Sequence, residues 1–209
     1  PMKINALKST FLSLLCLGSL AIHARADLIV DTGTPNNSTS WLFANRQYFG
    51  AEFNVTQDTV ISSVEGYFSN LWGGAGNVTF GLHADNNYNP GAVLYSSVLT
   101  LNGSDPLAWY GVSGLNWAIA AGTYWVSFMP DTNISGTMPD AAPNPLAQYA
   151  QASGNYGWQA NYANAWDHLH LGVRINGDAA GVPDHGSIAL IWGLFGLAGV
   201  VAHRRQRRA

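Results

Sequence analysis

One cysteine, Cys16, occurs in 209 residues, and it lies in an apolar stretch near the N-terminus. Residues 27–181 have none. Cysteine nucleophiles and disulfides are therefore excluded from that segment, which must be held together by core packing alone. Lysine is also missing from it, and with lysine goes the phosphate-cradling loop that needs one. Positive charge is almost absent: residues 27–181 carry only Arg46 and Arg174 against eleven acidic residues, which sets this body at −9 while the whole chain stands at −3. A surface of that sign does not bind nucleic acid or anionic lipid through bulk electrostatics. Glutamate is scarce, with Glu52 and Glu65 the only two in the body. A hydrolase built on a carboxylate pair would have to use them or the aspartates, but both fall in the polar phase of alternating runs and are expected on solvated sheet faces. No Gly-x-Ser-x-Gly elbow occurs, and no long stretch of the body has helical periodicity.

What is present is the period of strands. Phe49, Ala51, Phe53 and Val55 alternate with Gly50, Glu52 and Asn54. Val60–Phe68, Val78–Leu82, Ala92–Leu101 and Thr123–Phe128 repeat the pattern, with shorter segments at Trp109–Val112 and Leu115–Ile119 and a last alternating run at Leu169–Ile175. In Thr123–Phe128 the spacing places Tyr124, Val126 and Phe128 on one face, and Thr123, Trp125 and Ser127 on the other. Asp85–Gly91 and Asn102-Gly103 read as turns. The reading is all-β: one antiparallel β-sandwich, jelly-roll-like, spanning residues 27–178.

Both ends have a different composition. Lys3 and Lys8 precede an apolar run from Phe11 to Ile22, and Ala24-Arg25-Ala26 supplies a small-x-small site. Residues 1–26 thus read as a signal peptide cut after Ala26. Cys16 follows Leu15, so lipidation is not expected. Residues 179–209 hold Val182-Pro183-Asp184-His185-Gly186-Ser187, the uncharged run Ile188–Ala202, and Arg204, Arg205, Arg207 and Arg208. The apolar run reads as a single transmembrane helix over residues 187–203. Its 15-residue uncharged core is short beside the ~20 a bilayer normally takes. The arginines of the tail, residues 204–209, are expected to stay cytoplasmic.

This three-part tail resembles the PEP-CTERM sorting domain in its VPDSG-CTERM variant. Val182, Pro183, Asp184, Gly186, Ser187 and the four arginines match the pattern; His185 stands where the motif has Ser. The resemblance implies export from a Gram-negative cell and an inner-membrane-anchored intermediate. It further implies cleavage near the motif by an exosortase-type protease, with delivery to the cell surface or beyond. A second resemblance spans about residues 46–129. Gly76–Asp85, Pro90–Ser96 and Ala121–Val126 are similar to the choice-of-anchor-like sandwich modules found ahead of such tails. The partners so implied are the export machinery, the sorting protease and, transiently, the inner membrane.

Within the body the sharpest candidate is aromatic. Tyr156, Trp158, Tyr162 and Trp166 lie among Asn and Gln in residues 155–166, a composition suited to the C–H faces and hydroxyl rim of a pyranose. The competing reading is that these rings plug one end of the sandwich. Trp72, beside Gly73-Gly74, is a further candidate for an exposed ring. His168 and His170, two apart on an expected strand, would share a face and could meet a metal ion, with a plain polar strand face as the alternative. Asp85, Asn86, Asn87 and Asn89 could surround Ca²⁺ or simply build an Asx-rich turn. No cofactor is expected and no catalytic residue is assigned. The sequence points to a non-enzymatic surface or matrix protein with a structural or adhesive role, or alternatively to a module that binds exopolysaccharide.

Overall fold

Twelve strands and no helix make up the part of the chain that the computed structural model describes, residues 27–153, 156–160 and 169–180. They are β1 (Asp27–Asp31), β2 (Asn36–Ala44), β3 (Gln47–Val55), β4 (Thr59–Asn70), β5 (Gly76–Asp85), β6 (Pro90–Leu101), β7 (Asp105–Ile119), β8 (Gly122–Pro130), β9 (Ser135–Ala141), β10 (Tyr149–Ser153), β11 (Tyr156–Ala160) and β12 (Val173–Ala179). The expected signal peptide, sorting motif and transmembrane helix lie outside the described residues. Among the described residues no helix is long and apolar enough to cross a membrane.

Two large sheets form. One runs β1-β12-β4-β7 and the other β11-β10-β3-β8-β5-β6, while β2 and β9 pair separately. Every pairing between these strands is antiparallel. Four of the pairings are nested in sequence: β5 with β6, β4 with β7, β3 with β8 and β2 with β9. The β2–β9 pair stays close to β4, because Ser69 Oγ accepts from the Thr137 amide at 3.0 Å and Asn70 Oδ1 accepts from the Ser135 amide at 2.9 Å.

The two sheets face each other across a belt of phenylalanines. Phe43 of β2 lies 4.7 Å from Phe68 of β4, ring centre to ring centre, and 6.3 Å from Phe49 of β3. Phe68 reaches across to Phe80 of β5 at 6.4 Å, and Phe80 meets Phe128 of β8 edge-on at 5.4 Å. All five are fully buried. Each such ring taken from water stabilises the fold by about 1.5–3 kcal/mol, and the chain has no disulfide to share that task. At one open side Tyr95 of β6 stacks on Trp117 of β7 at 5.8 Å and donates its hydroxyl to the Ala118 carbonyl.

The alternating runs at residues 49–55, 60–68, 78–82, 92–101 and 123–128 all fall on strands. Two expectations change. The short segments at 109–112 and 115–119 are parts of one 15-residue strand, β7, because β4 pairs along nearly its whole length. The last strand begins at Val173, not Leu169. Leu169 and Leu171 are buried as expected, but the backbone around His170 is bonded to another segment. The His170 amide donates to the Asp140 carbonyl, and the Ala142 amide donates to the His170 carbonyl. A lone parallel bridge from His170 to Ala141 replaces sheet pairing there.

Candidate functional site

The outer face of the six-stranded sheet carries a polar cluster, and the strand register builds it. Gly50, Ser127 and Gly81 are direct neighbours across β3, β8 and β5. Glu52, Trp125 and His83 form the adjacent row. The two glycines leave room beside Ser127 that neighbouring side chains fill. A β-carbon at Gly81 would stand 2.6 Å from Ser127 Oγ, and one at Gly50 would touch the Trp158 ring at 3.4 Å. The indole of Trp158, on β11, lies by Gly50, edge-on to His83 at 5.7 Å and tilted against Tyr48 at 6.5 Å.

Beneath it His83 Nε2 stands 2.8 Å from Ser127 Oγ, and His83 Nδ1 stands 3.0 Å from the Gly91 carbonyl. A carbonyl only accepts, so Nδ1 carries the proton; Nε2 then accepts and the Ser127 hydroxyl donates. Burial holds the imidazole pKa below its ordinary value, partly opposed by the bond to Gly91. The spacing is that of a nucleophile and its base. The orienting group is a carbonyl, however, and His83 and Ser127 are only 2% and 0% exposed. The arrangement is a satisfied buried polar pair.

Glu52 departs from the expected solvated position. Its Oε2 is buried and has no hydrogen-bond partner among the described residues. Burial, and secondarily the Asp85 carboxylate, raise its pKa. Asp85 Oδ1 accepts from Trp125 Nε1 at 2.9 Å, so that oxygen serves the sheet face. The neighbouring turn closes on itself, the Asn86 amide donating to the Asn89 carbonyl at 2.9 Å. Glu65, on the outer face of the other sheet, lies in register opposite Arg174. The Arg174 guanidinium sits 3.9 Å above the Trp109 ring centre and its Nε donates to Asp31 at 3.2 Å.

Of the expected aromatic set, Trp158 is half-buried in the position just described, and Tyr156 occupies β11 opposite Ser153. Tyr162 and Trp166 lie outside the described residues, as does His168. His170 is half-buried beside Tyr149, ring centres 6.1 Å apart. No group of three or more metal-ligating side chains occurs among the described residues.

Trp72 lies elsewhere, in the β4–β5 connection, and is 65% exposed next to Leu71 at 46%. The loop that carries it is closely tied. The Trp72 amide donates to the Ser135 carbonyl, and the Gly74 amide donates to the Asn133 carbonyl, both at 2.9 Å. The fully buried Asn70 donates from Nδ2 to the Gly74 carbonyl at 2.9 Å and accepts on Oδ1 from the Ser135 amide. Gly73 is required there by close approach, since a β-carbon would stand 2.4 Å from the Asn133 carbonyl oxygen. The Gly-Gly pair beside a tryptophan marks this loop in the sequence; the bridging role of Asn70 does not show there, because its partner Ser135 is 65 residues away.

No family model matches the chain, and no curated protein matches it.

Proposed function

We propose that the chain is an exported, non-enzymatic protein of the cell surface or extracellular matrix with a structural or adhesive role. Residues 1–26 direct export. The tail 179–209 anchors the protein in the inner membrane until an exosortase-type protease cuts near Pro183-Asp184. The observation that carries the reading is the order of Val182–Ser187, Ile188–Ala202 and the Arg204–Arg208 cluster behind a body with neither cysteine nor lysine. The nested pairings of β2–β9, β3–β8, β4–β7 and β5–β6 support reading that body as a jelly roll, an architecture that displays loops on a rigid frame. Intact mass of the protein from its native host tests the route. A product from Asp27 to near Val182 is expected; a species that retains Arg208 would mean lasting anchorage and would sink the release step.

A second reading, recognition of exopolysaccharide through exposed aromatics, draws on Trp72. A tryptophan 65% exposed on a loop fixed by four hydrogen bonds is preorganised for stacking. A neutral glycan suits a body of −9, which repels polyanions. Trp158 and Trp166 are the competing platform. Retention of the body on immobilised polysaccharide should fall at least tenfold in Trp72→Ala with the melting curve unchanged. Equal retention in Trp72→Ala and in Trp158→Ala/Trp166→Ala would remove glycan binding by these rings.

A further inference from the structure

The last of the described strands, β12, does not close an edge. It enters its sheet between β1 and β4, paired with β1 from Asp27↔Gly177 to Asp31↔Arg174 and with β4 from Val173↔Gly66 to Ala179↔Thr59. Both sides of this seat are built. Thr32 exchanges hydrogen bonds with Val173 on one side. On the other, Asn176 Nδ2 donates to Ser63 Oγ at 2.9 Å, and just past the strand the Ala180 amide donates to the Asp58 carbonyl at 2.7 Å. Arg174 bonds Asp31 of β1 and covers the Trp109 ring of β7. Val173 and Ile175 are fully buried. The fit is close: a β-carbon at Gly177 would stand 2.6 Å from the Val60 carbonyl oxygen and 2.8 Å from Ile29 Cδ1.

The other long pairings need no help from β12. β5 and β6 meet across the turn from Asn86 to Asn89, and β4–β7, β3–β8 and β2–β9 enclose them in succession. Each pair closes over one already made, so the free loop it must close is short and its entropic cost small. β12 gains nothing from that order. Asn176 and Ser63 are 113 residues apart, and Val173 and Thr32 are 141 apart. Contacts of such separation form late, and β1 joins its sheet through β12. We propose that β12 is the lock of the body: β1 to β11 stay open until it arrives, and its insertion seats β1 and closes the sandwich in one step. The open form is an acceptor for a β12 strand. In an exported chain the lock keeps the body threadable until its last strand is delivered. That consequence rests on the export reading; the lock does not, and experiments on the body alone bear on the lock.

Pulse-labelled hydrogen exchange during refolding of residues 27–180, which lie in a compact unit with its own core, reads the order directly. Amides of β1 and β12 should gain protection together, in a phase later than those of β3, β5, β6 and β8. Protection of β1 before β12, or of all strands in a single phase, would overturn the proposal. A second measurement divides the chain. Residues 27–168 alone should melt well below the intact body, with the β1 amides exchanging freely. A peptide of residues 169–180, which carries the buried Leu169, Leu171, Val173 and Ile175, should restore both the melting temperature and the protection of β1. The same peptide with Gly177→Val, whose added carbons meet the Val60 carbonyl, should restore neither. A divided chain that melts like the intact body without peptide, no rescue by the unaltered peptide, or equal rescue by the two peptides would each show that β12 is not the lock.

Discussion

Thr32 shows how much of this fold rests on single polar side chains. It is fully buried just beyond β1. Its Oγ1 accepts from the Val173 amide at 2.8 Å and lies 3.1 Å from the Leu171 carbonyl, to which it can donate. Its own amide donates to the Val173 carbonyl at 3.1 Å, and its carbonyl accepts from Asn144 at 2.9 Å. One residue thus ties the start of the body to the start of β12, 141 residues later. Thr32→Val keeps the shape and removes the hydroxyl, so the Val173 amide is left buried without a partner. The expected cost is about 1–3 kcal/mol, read as a lower urea midpoint with an unchanged slope. Thr32→Ser should recover most of it; equal losses in the two variants would assign the effect to packing of the methyl group.

At the level of elements, legibility followed partner identity. β3, β4 and β5 alternate because one face meets the core, and the period was visible in the sequence. β8 alternates as well, yet Trp125 and Ser127 on its outer face are as buried as Val126 and Phe128. Trp158 of β11 lies on that face against His83 and the Trp125 indole bonds Asp85, and nothing local to β8 announces either contact. β2 and β9 carry no strand signal of their own: Asn36–Ala44 opens with five polar residues, and Ser135–Ala141 contains Gly136 and Pro139. Their pairing with each other makes them strands. The His83–Ser127 pair was illegible for the same reason, its members being 44 residues apart. The β5–β6 turn was legible as a turn but not in its geometry. Asn87 and Tyr88 both adopt positive φ, 52° and 62°, as a type I′ hairpin turn requires. Asn tolerates this conformation, but an exposed tyrosine does so at a cost of about 1–2 kcal/mol. Tyr88→Gly should therefore stabilise the body by up to ~1 kcal/mol, after the greater freedom of glycine in the unfolded chain is subtracted. Chemical denaturation checks it, and a destabilised variant would show that the Tyr88 ring contributes more than its backbone strain.

For the whole molecule the asymmetry of charge matters more than its total. Arginine and lysine sit mainly in the two ends, so residues 27–181 form an acidic, lysine-free sheet stack. Its stability then responds to pH through two groups on the same outer face that act in opposite directions. His83 is held neutral by burial, below the ordinary imidazole value of 6.5. As pH falls through 6.5 the unfolded chain takes up a proton that the folded body refuses, so stability is lost down to the folded pKa. Glu52 is raised above the ordinary carboxyl value of 4.5 by burial and Asp85. Above 4.5 the unfolded chain ionises more readily than the folded body, so this group adds stability as pH falls from its folded pKa toward 4.5. The two contributions offset each other in the wild type, and single variants separate them. In Glu52→Gln only the histidine term remains: melting temperature should be higher than wild type at pH 7 and should fall more steeply on acidification below 6.5. In His83→Gln, whose amide can still donate to the Gly91 carbonyl and accept from Ser127, the carboxyl term remains and the acid slope should be shallower or reversed. Melting curves of the two variants between neutral pH and 4.5 decide the matter. Parallel slopes would mean that the packing around His83 and Glu52 admits enough water to leave both groups titrating as they do in the unfolded chain.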